Sequence, residues 1–492
     1  MQTPDALQEW ASQLDRRVYA LLIGLLIGIT AGVVGLALAV VGPIPTLAGL
    51  FGLFAGLYLL TNVEAALYGC VAVIVMIPFG TLPFRIGFTP TLIDVALGVF
   101  LLVYLLQWMT GRRQNFQWSP VHFFVLLYIA WLILSFVLGL RYAMPTSTDL
   151  RQFAGSILSM GLVFVLVDLF RNAKIIRRAV TLLMLFIGAQ CIVGGILYFM
   201  PDDLSERTLV RLAVIGYPNG GVIRYIEDNP EDNERAIGTW VDPNAYGGFL
   251  TASAALVAPQ LFAKKPIFRR RWMSWAMLGL VGIMLVLTFS RASLLAFALA
   301  LAFIGVFKGY RKFLTMLMIG GVLFLILPQT QGLVRRYVEA FTGADVSTQM
   351  RLGEYGDALE LISRYPITGI GFTGTPDINS YTDVASMYLI MGNQIGLVGV
   401  GLFLLAMLMV YVYGYQAWKK MSPSSGLQAI FIGVHAALFA ILVNSVADMY
   451  FFRTDFQGSI TFLWIIVGLA LACSKVTLMI SESTVDKPIQ IT

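Results

Sequence analysis

Roughly fourteen stretches of mostly apolar residues, separated by short polar connections, dominate this 492-residue sequence. They fall at 18–41, 46–60, 65–79, 91–109, 119–138, 152–169, 179–200, 244–262, 273–290, 292–307, 313–329, 386–415, 427–446 and 458–474. A helix crossing a bilayer needs about 20 such residues, whereas a membrane β-strand shows about 10 of alternating polarity, which these do not. Composition agrees, with 58% apolar and 12% charged residues. Soluble domains run near 45–50% and about 25%, and no ordinary core could hide the excess. The expected fold is therefore all-α, a polytopic membrane bundle of about 12–14 spanning helices. The second and third runs are short and carry Thr61-Asn62-Val63-Glu64 between them. This patterning excludes a soluble enzyme, a disordered chain and a nucleic-acid binder. Asp5, Glu9 and Asp15 before a long first run argue against a cleaved signal peptide.

Lysine and arginine placement orients such a bundle. With both termini cytoplasmic, the inner side takes 20 of the 33 basic residues, including all nine lysines. The outer side takes the remaining 13, and every one is arginine. Insertion alone explains the inner clusters but disfavours the outer arginines. Arginine offers a fixed, always-charged fork that grips phosphate at two points. Two readings stand for these side chains: phosphate recognition, or ion pairing with nearby acids.

Two connections are long, 201–243 and 330–385, and both fall on the outer side. They divide the chain into membrane helices 1–200, a first large loop 201–243, central helices 244–329, a second large loop 330–385 and C-terminal helices 386–492. Long loops in a compact fold are usually functional or disordered. The first has an acidic middle, then leads through Arg235 and Pro243 into the eighth span, with Asn244 expected as its N-cap. That helix start would favour an anion, although capping alone also explains Asn244. The second loop carries an amphipathic helix with Leu352, Tyr355, Leu359 and Ile362 on one face and Arg351, Glu354, Asp357 and Arg364 on the other. Glu360 and Arg364 support it as a pair. It reads equally as a lid and as a passive surface helix. Gly369-Ile370-Gly371 and Pro376-Asp377-Ile378-Asn379 read as a flexible stretch able to close over a ligand.

Arg291 stands between two apolar runs, where a charge is costly and function is the default reading. Snorkelling to headgroups is the other. Asp94 is expected to pair with Arg85, and Asp448 with Arg453. His435 sits mid-span and is expected to hydrogen-bond between helices, and no histidine falls on the outer face. The three cysteines lie inside apolar runs, so neither a disulfide framework nor a metal cluster is expected.

Four stretches, in order, resemble the O-antigen ligase and O-antigen polymerase superfamily. They are Arg235-x-x-Gly238 with Pro243-Asn244, Thr288-x-Ser290-Arg291-Ala292, Arg351 leading to Tyr365-Pro366-x-x-Gly369-x-Gly371, and Tyr388-Leu389 followed by Gly396-Leu397-Val398-Gly399. The resemblance covers roughly residues 235–400. It implies a GT-C-type glycosyltransferase of a bacterial inner membrane, needing no metal or other cofactor. Its partners would be a glycan donor linked to undecaprenyl diphosphate, a glycan or lipid acceptor and membrane lipids, and no nucleic acid. Matching positions imply Arg235, Arg291 and Arg351 as diphosphate ligands, with Asn244 beside them. Ligase-type members carry a histidine three residues before the tyrosine that is Tyr388 here, but this sequence has Ala385-Ser386. Polymerisation is thereby favoured over transfer to lipid A core, and Asp383 is the nearby residue able to act as general base. A transporter or flippase and a non-catalytic export subunit are the competing classes. No convincing internal repeat of the transporter kind separates the two halves.

Overall fold

The computed structural model describes residues 15–85, 87–342, 346–373, 384–422 and 425–485. The chain divides into two compact units, residues 1–66 and 67–492. In the first, α1 (Arg16–Val41) and α2 (Pro43–Thr61) pack together across a single connecting residue, Gly42. Its φ of +91° suits glycine, and Pro43 pre-sets the first turn of α2. Asn62 then starts α3 (Val63–Met76), its Oδ1 accepting from the amides of Glu64 and Ala65.

The second unit holds α4 (Leu92–Met109), α5 (Val121–Gly139), α6 (Ser147–Leu169), α7 (Ala173–Phe199), α8 (Asp202–Arg211), β1 (Arg224–Tyr225), β2 (Glu234–Arg235) and α9 (Pro243–Val257). It continues with α10 (Arg271–Leu287), α11 (Arg291–Val306), α12 (Lys312–Ile326), α13 (Gln331–Thr342), α14 (Val346–Arg364), α15 (Met387–Lys420), α16 (Gln428–Asn444) and α17 (Gln457–Val485). Each of the fourteen apolar runs is helical, and the molecule is an all-α polytopic bundle. Among the described residues six helices (α4, α5, α6, α7, α15 and α17) are long and apolar enough to cross a membrane unaided. Turn chemistry trims the others. The turn at Phe289, φ +50°, separates α10 from α11, and α9 passes into a 3₁₀ turn at Ala258–Leu261.

α9 lies at the centre, buried from Ala245 through Val257. Small residues let its neighbours approach closely. A methyl on Gly247 would come 2.6 Å from Ser293 Oγ on α11, and one on Gly433 of α16 would come 2.6 Å from the Leu256 carbonyl. α6 and α17 run side by side in the same direction: Gly155 lies against Gln457, Ser159 bonds Thr461 at 2.9 Å, and Leu166 packs on Gly468.

The motif glycines of the second loop build a brace. α15 is broken at Gly396, whose φ of 67° and ψ of 176° are non-helical. The freed carbonyls of Asn393 and Gln394 accept from the amides of Ile370 and Gly371 (2.8 and 2.9 Å), and the Leu397 amide donates to Pro366 at 2.8 Å. From α5, Ser135 Oγ donates to Thr368 or Gln394 (2.8 Å to either carbonyl), and Trp131 Nε1 to Ile395 at 2.9 Å. Unwound backbone at membrane depth needs such partners. Gly369-Ile370-Gly371 is thus a fixed strut, not the flexible closing stretch expected; Pro376 to Asn379 lie outside the described residues.

Three pairings differ from expectation. Asp94 forms a capping box with Thr91 and bonds Arg151 at 2.9 Å, while Arg85 turns to the Gly87 carbonyl. Arg453 pairs with Asp455 at 2.8 Å, and Asp448 is buried elsewhere. His435 Nδ1 meets the Phe431 carbonyl of its own helix, because one turn back is the nearest acceptor.

Candidate active site

The end of the bundle where α9 begins contains a cavity of about 570 Å³. Its floor is the start of α9. Asp242, not Asn244, is the N-cap: its Oδ1 accepts from the Asn244 and Ala245 amides at 2.8 and 3.0 Å, and Pro243 takes the first helical position. Proline lacks the amide that position leaves unused, which shifts the cap two residues upstream of Asn244. The preceding turn is held by Trp240, fully buried against Phe249. Val241 has φ +63°, a conformation costly for a β-branched residue, of order 1–3 kcal/mol.

Asn244 is thereby released for another task. Its Oδ1 accepts from Arg235 Nη2 at 2.6 Å, while Arg235 Nε donates to the Thr288 carbonyl at the end of α10 at 2.8 Å. Burial pulls the Arg235 guanidinium down from its ordinary value. Across the short β1–β2 ladder Arg224 stands directly opposite Arg235, a like-charge pairing that costs stability unless an anion or acid lies nearby.

The opposite wall comes from α13 and α14. Arg351 and Glu354 line the cavity, with Arg351 Nη1 donating to the Ala447 carbonyl at 3.2 Å. α14 buries Ala358, Leu361 and Ile362 and leaves Leu352 and Leu359 exposed. The expected apolar stripe is therefore rotated, because the cavity claims Arg351 and Glu354 from the inward face. Tyr355 Oη donates to the Ala385 carbonyl (3.1 Å) and Glu354 Oε2 accepts from the Ala385 amide (3.0 Å), tying α14 to the approach to α15. The Glu360–Arg364 pair forms as expected.

Arg291, the first residue of α11, does not line this cavity. Its Nη1 donates to the Arg336 carbonyl at 2.9 Å and its own carbonyl accepts from Tyr337 Oη at 2.8 Å, fastening α11 to α13. Arg336, the residue so fastened, lines the cavity beside Arg235 and Arg351. The structure therefore brings Arg235, Asn244 and Arg351 together and sets Arg291 behind Arg336. Asp383 lies outside the described residues, two positions before Ala385, which lines the cavity.

The lining also holds four carboxylates, so what each one binds decides the balance. Asp242 caps α9, Glu354 holds Ala385, Asp228 pairs with Arg224 at 3.5 Å, and Glu227 stands exposed at the rim. Arg235 and Arg351 instead donate to uncharged carbonyl and amide oxygens. Behind them Asp448 is 2% exposed and belongs to a buried polar chain. It accepts from Asn444 Nδ2 at 3.2 Å, Asn444 Oδ1 accepts from Ser293 at 3.0 Å, and Ser293 bonds Ser290 at 2.9 Å. Burial pushes the Asp448 carboxyl up to about 7, against the pull of Arg351 and Arg235. Tyr450, buried against Asp242 and Asn244, is pushed well above its ordinary value by burial. Glu234, beside the ladder, is also raised to about 7, by burial and by Asp202.

Sequence reasoning missed Arg336 and Asp448. Arg336 had no local signal, since the apolar positions of α13 recur at helical spacing and leave it on the polar side. Asp448 had none beyond being an acid in the last connection.

The arrangement is a pocket of guanidinium forks beside a helix N-terminus, suited to an anion with several oxygens. A comparison with curated proteins found no match. Residues 275–403, which span the Arg291 turn, α13, α14 and the broken start of α15, match the family model described as O-antigen ligase. That match makes part of this multi-pass membrane protein similar to the O-antigen ligase/polymerase superfamily, and the similarity supports a glycosyltransferase-like enzyme.

Proposed function

We propose that the protein polymerises glycans carried on undecaprenyl diphosphate, joining them to an acceptor hydroxyl on the outer side of the bacterial inner membrane with both termini in the cytoplasm. One observation carries this reading: Arg235, Arg336 and Arg351 converge on a single cavity at the start of α9. The departing group of such a transfer is a lipid diphosphate, whose charge grows as the glycosidic bond breaks. Guanidinium forks aimed at that charge stabilise the transition state and stand in for a metal ion. Arg235 and Arg351 would grip the diphosphate, with Asn244 holding the Arg235 fork in plane through their 2.6 Å bond. Arg291 would position Arg336 through its bond to that residue's carbonyl. Asp383 is the proposed general base for the acceptor hydroxyl. The Ala385-Ser386 dipeptide, where the resembled ligases have histidine, favours polymerisation over ligation.

The flippase reading draws support from the break in α15, since transporters use broken helices at their binding sites. Here the break is filled by the strut 366–371 and lines neither of the two large cavities. Proteoliposomes loaded with an undecaprenyl-diphosphate oligosaccharide separate the two readings. An enzyme consumes the donor with no ion gradient and yields longer glycans, and Arg351→Lys abolishes this at unchanged protein level. Movement of intact donor across the bilayer, with no bond formed, would sink the proposal.

A further inference from the structure

The far ends of the same helices enclose a second cavity, of about 660 Å³. α9 starts in the first cavity and runs toward this one, its 15 residues covering about 22 Å at ~1.5 Å per residue. The walls come from the stretch after α9 (Phe262, Lys264), the α11–α12 turn (Lys308, Tyr310) and the α15–α16 junction (Trp418, Gln428). Both lysines are exposed at the mouth. No carboxylate stands among the described residues that line it. The sequence itself contains no Asp or Glu between Asp242 and Glu339, nor any between Val384 and Ala447. The insertion rule explains why lysines lie at this end. It does not require them to meet across a hollow.

The hollow has rigid aromatic sides. Trp418 packs edge-on against Phe307 at 4.8 Å and stacks on Phe431 at 5.9 Å. Phe262 packs edge-on against Phe313 at 5.1 Å and carries the Lys312 ammonium 5.4 Å above its ring. Trp272 and Trp275 are exposed beside it on α10, as indoles are at a membrane–water boundary. We propose that this cavity binds the phosphate headgroup of an anionic phospholipid, with Lys264 and Lys308 on the phosphate and the aromatic walls against the glycerol and upper acyl carbons. Lysine ammoniums are strongly hydrated point charges, suited to a headgroup held at the interface, in contrast to the arginine forks of the first cavity. Basic pockets between membrane helices are the sites such headgroups occupy.

The test uses the purified full-length protein in nanodiscs made from an equal mixture of phosphatidylglycerol and phosphatidylcholine, with retained lipid counted by native mass spectrometry. The wild type retains phosphatidylglycerol in preference. The Lys264→Gln/Lys308→Gln double variant weakens retention by about five-fold per lysine, so about 25-fold together. A matched variant, Arg270→Gln/Arg271→Gln, removes two charges from the same end outside the cavity and leaves retention intact. Unchanged retention in the lysine variant, or equal loss in both variants, overturns the site. Displacement of the lipid by inorganic phosphate at matched concentration would assign the lysine pair to a soluble anion and overturn the lipid assignment.

Discussion

At the end of α6, Asp168 is completely buried and every lone-pair direction is used. Its Oδ1 accepts from Arg171 (2.7 Å) and the Gln117 amide (2.9 Å), and its Oδ2 from Arg113 (2.9 Å) and Tyr104 Oη (3.1 Å). At the opposite end of the bundle Arg235 and Arg351 donate to carbonyl and amide oxygens, and the nearest buried acid, Asp448, is pushed toward its neutral form. The same side chain is thus closed in one place and open in the other. Between these two ends the arginines differ in the charge of their acceptor more than in burial or motif. A carboxylate with two guanidiniums leaves nothing for a ligand, whereas a guanidinium held by neutral oxygens keeps its charge available.

Substitutions at the two ends should therefore fail differently. Asp168→Ala strands Arg113 and Arg171, which are 16% and 34% exposed. A loss of roughly 3–5 kcal/mol is expected, read as a collapse in detergent-solubilised melting temperature, while the surviving folded fraction keeps its specific activity. Arg351→Ala should do the reverse. Donor turnover falls about 10²–10³-fold, or ~2.7–4 kcal/mol, with the melting temperature close to wild type. Equal damage to melting in both variants would erase the distinction.

Gly396→Ala probes the brace between the ends. A Cβ there would lie 2.1 Å from the Ile367 carbonyl in a backbone region reserved for glycine, so about 1–3 kcal/mol of stability should go. Activity should fall with it, because the strut it locks carries the end of α14. A variant with full activity and a lowered melting temperature would detach the brace from the site.

The smallest effect expected is on pH. Asp448 is raised by burial to about 7, so its protonated form is favoured in the fold and the stability it contributes falls as pH rises through that value. Arg351, Arg235, Asp242, Asn444 and Tyr450 face it. Ionisation places a counter-charge behind Arg351 and Arg235, so the donor KM should rise severalfold from about pH 6 to about pH 8. Glu234 titrates in the same range. The readout is therefore the difference between the wild-type profile and that of Asp448→Asn, and identical profiles would remove Asp448 from the linkage.

Much of this was legible from residues alone. Apolar run length fixes helices strongly, so all fourteen appear, and an arginine that violates the insertion rule announces a reason to be there. The misreadings were local. Asp242 and Asn244 are both good caps two positions apart, and only the proline between them decides. Leu352 and Leu359 look like a buried stripe, but in a membrane protein an exposed leucine costs nothing when lipid covers it, so apolar periodicity does not say which face is inward. Arg336 and Asp448 come close to Arg351 and Arg235 only through folding. They are separated from Arg235 by 101 and 213 residues, distances over which no local pattern carries information.

The bond from Arg235 to the Thr288 carbonyl has a consequence for how such a protein diversifies. That carbonyl ends α10, where helix acceptors lack internal partners. One guanidinium therefore both terminates a membrane helix and faces the cavity. A lineage cannot retune anion binding at this position without finding α10 a new terminator. Variation in glycan specificity should accordingly gather at the rim, around Glu227 and Asp228, where a change disturbs no helix end.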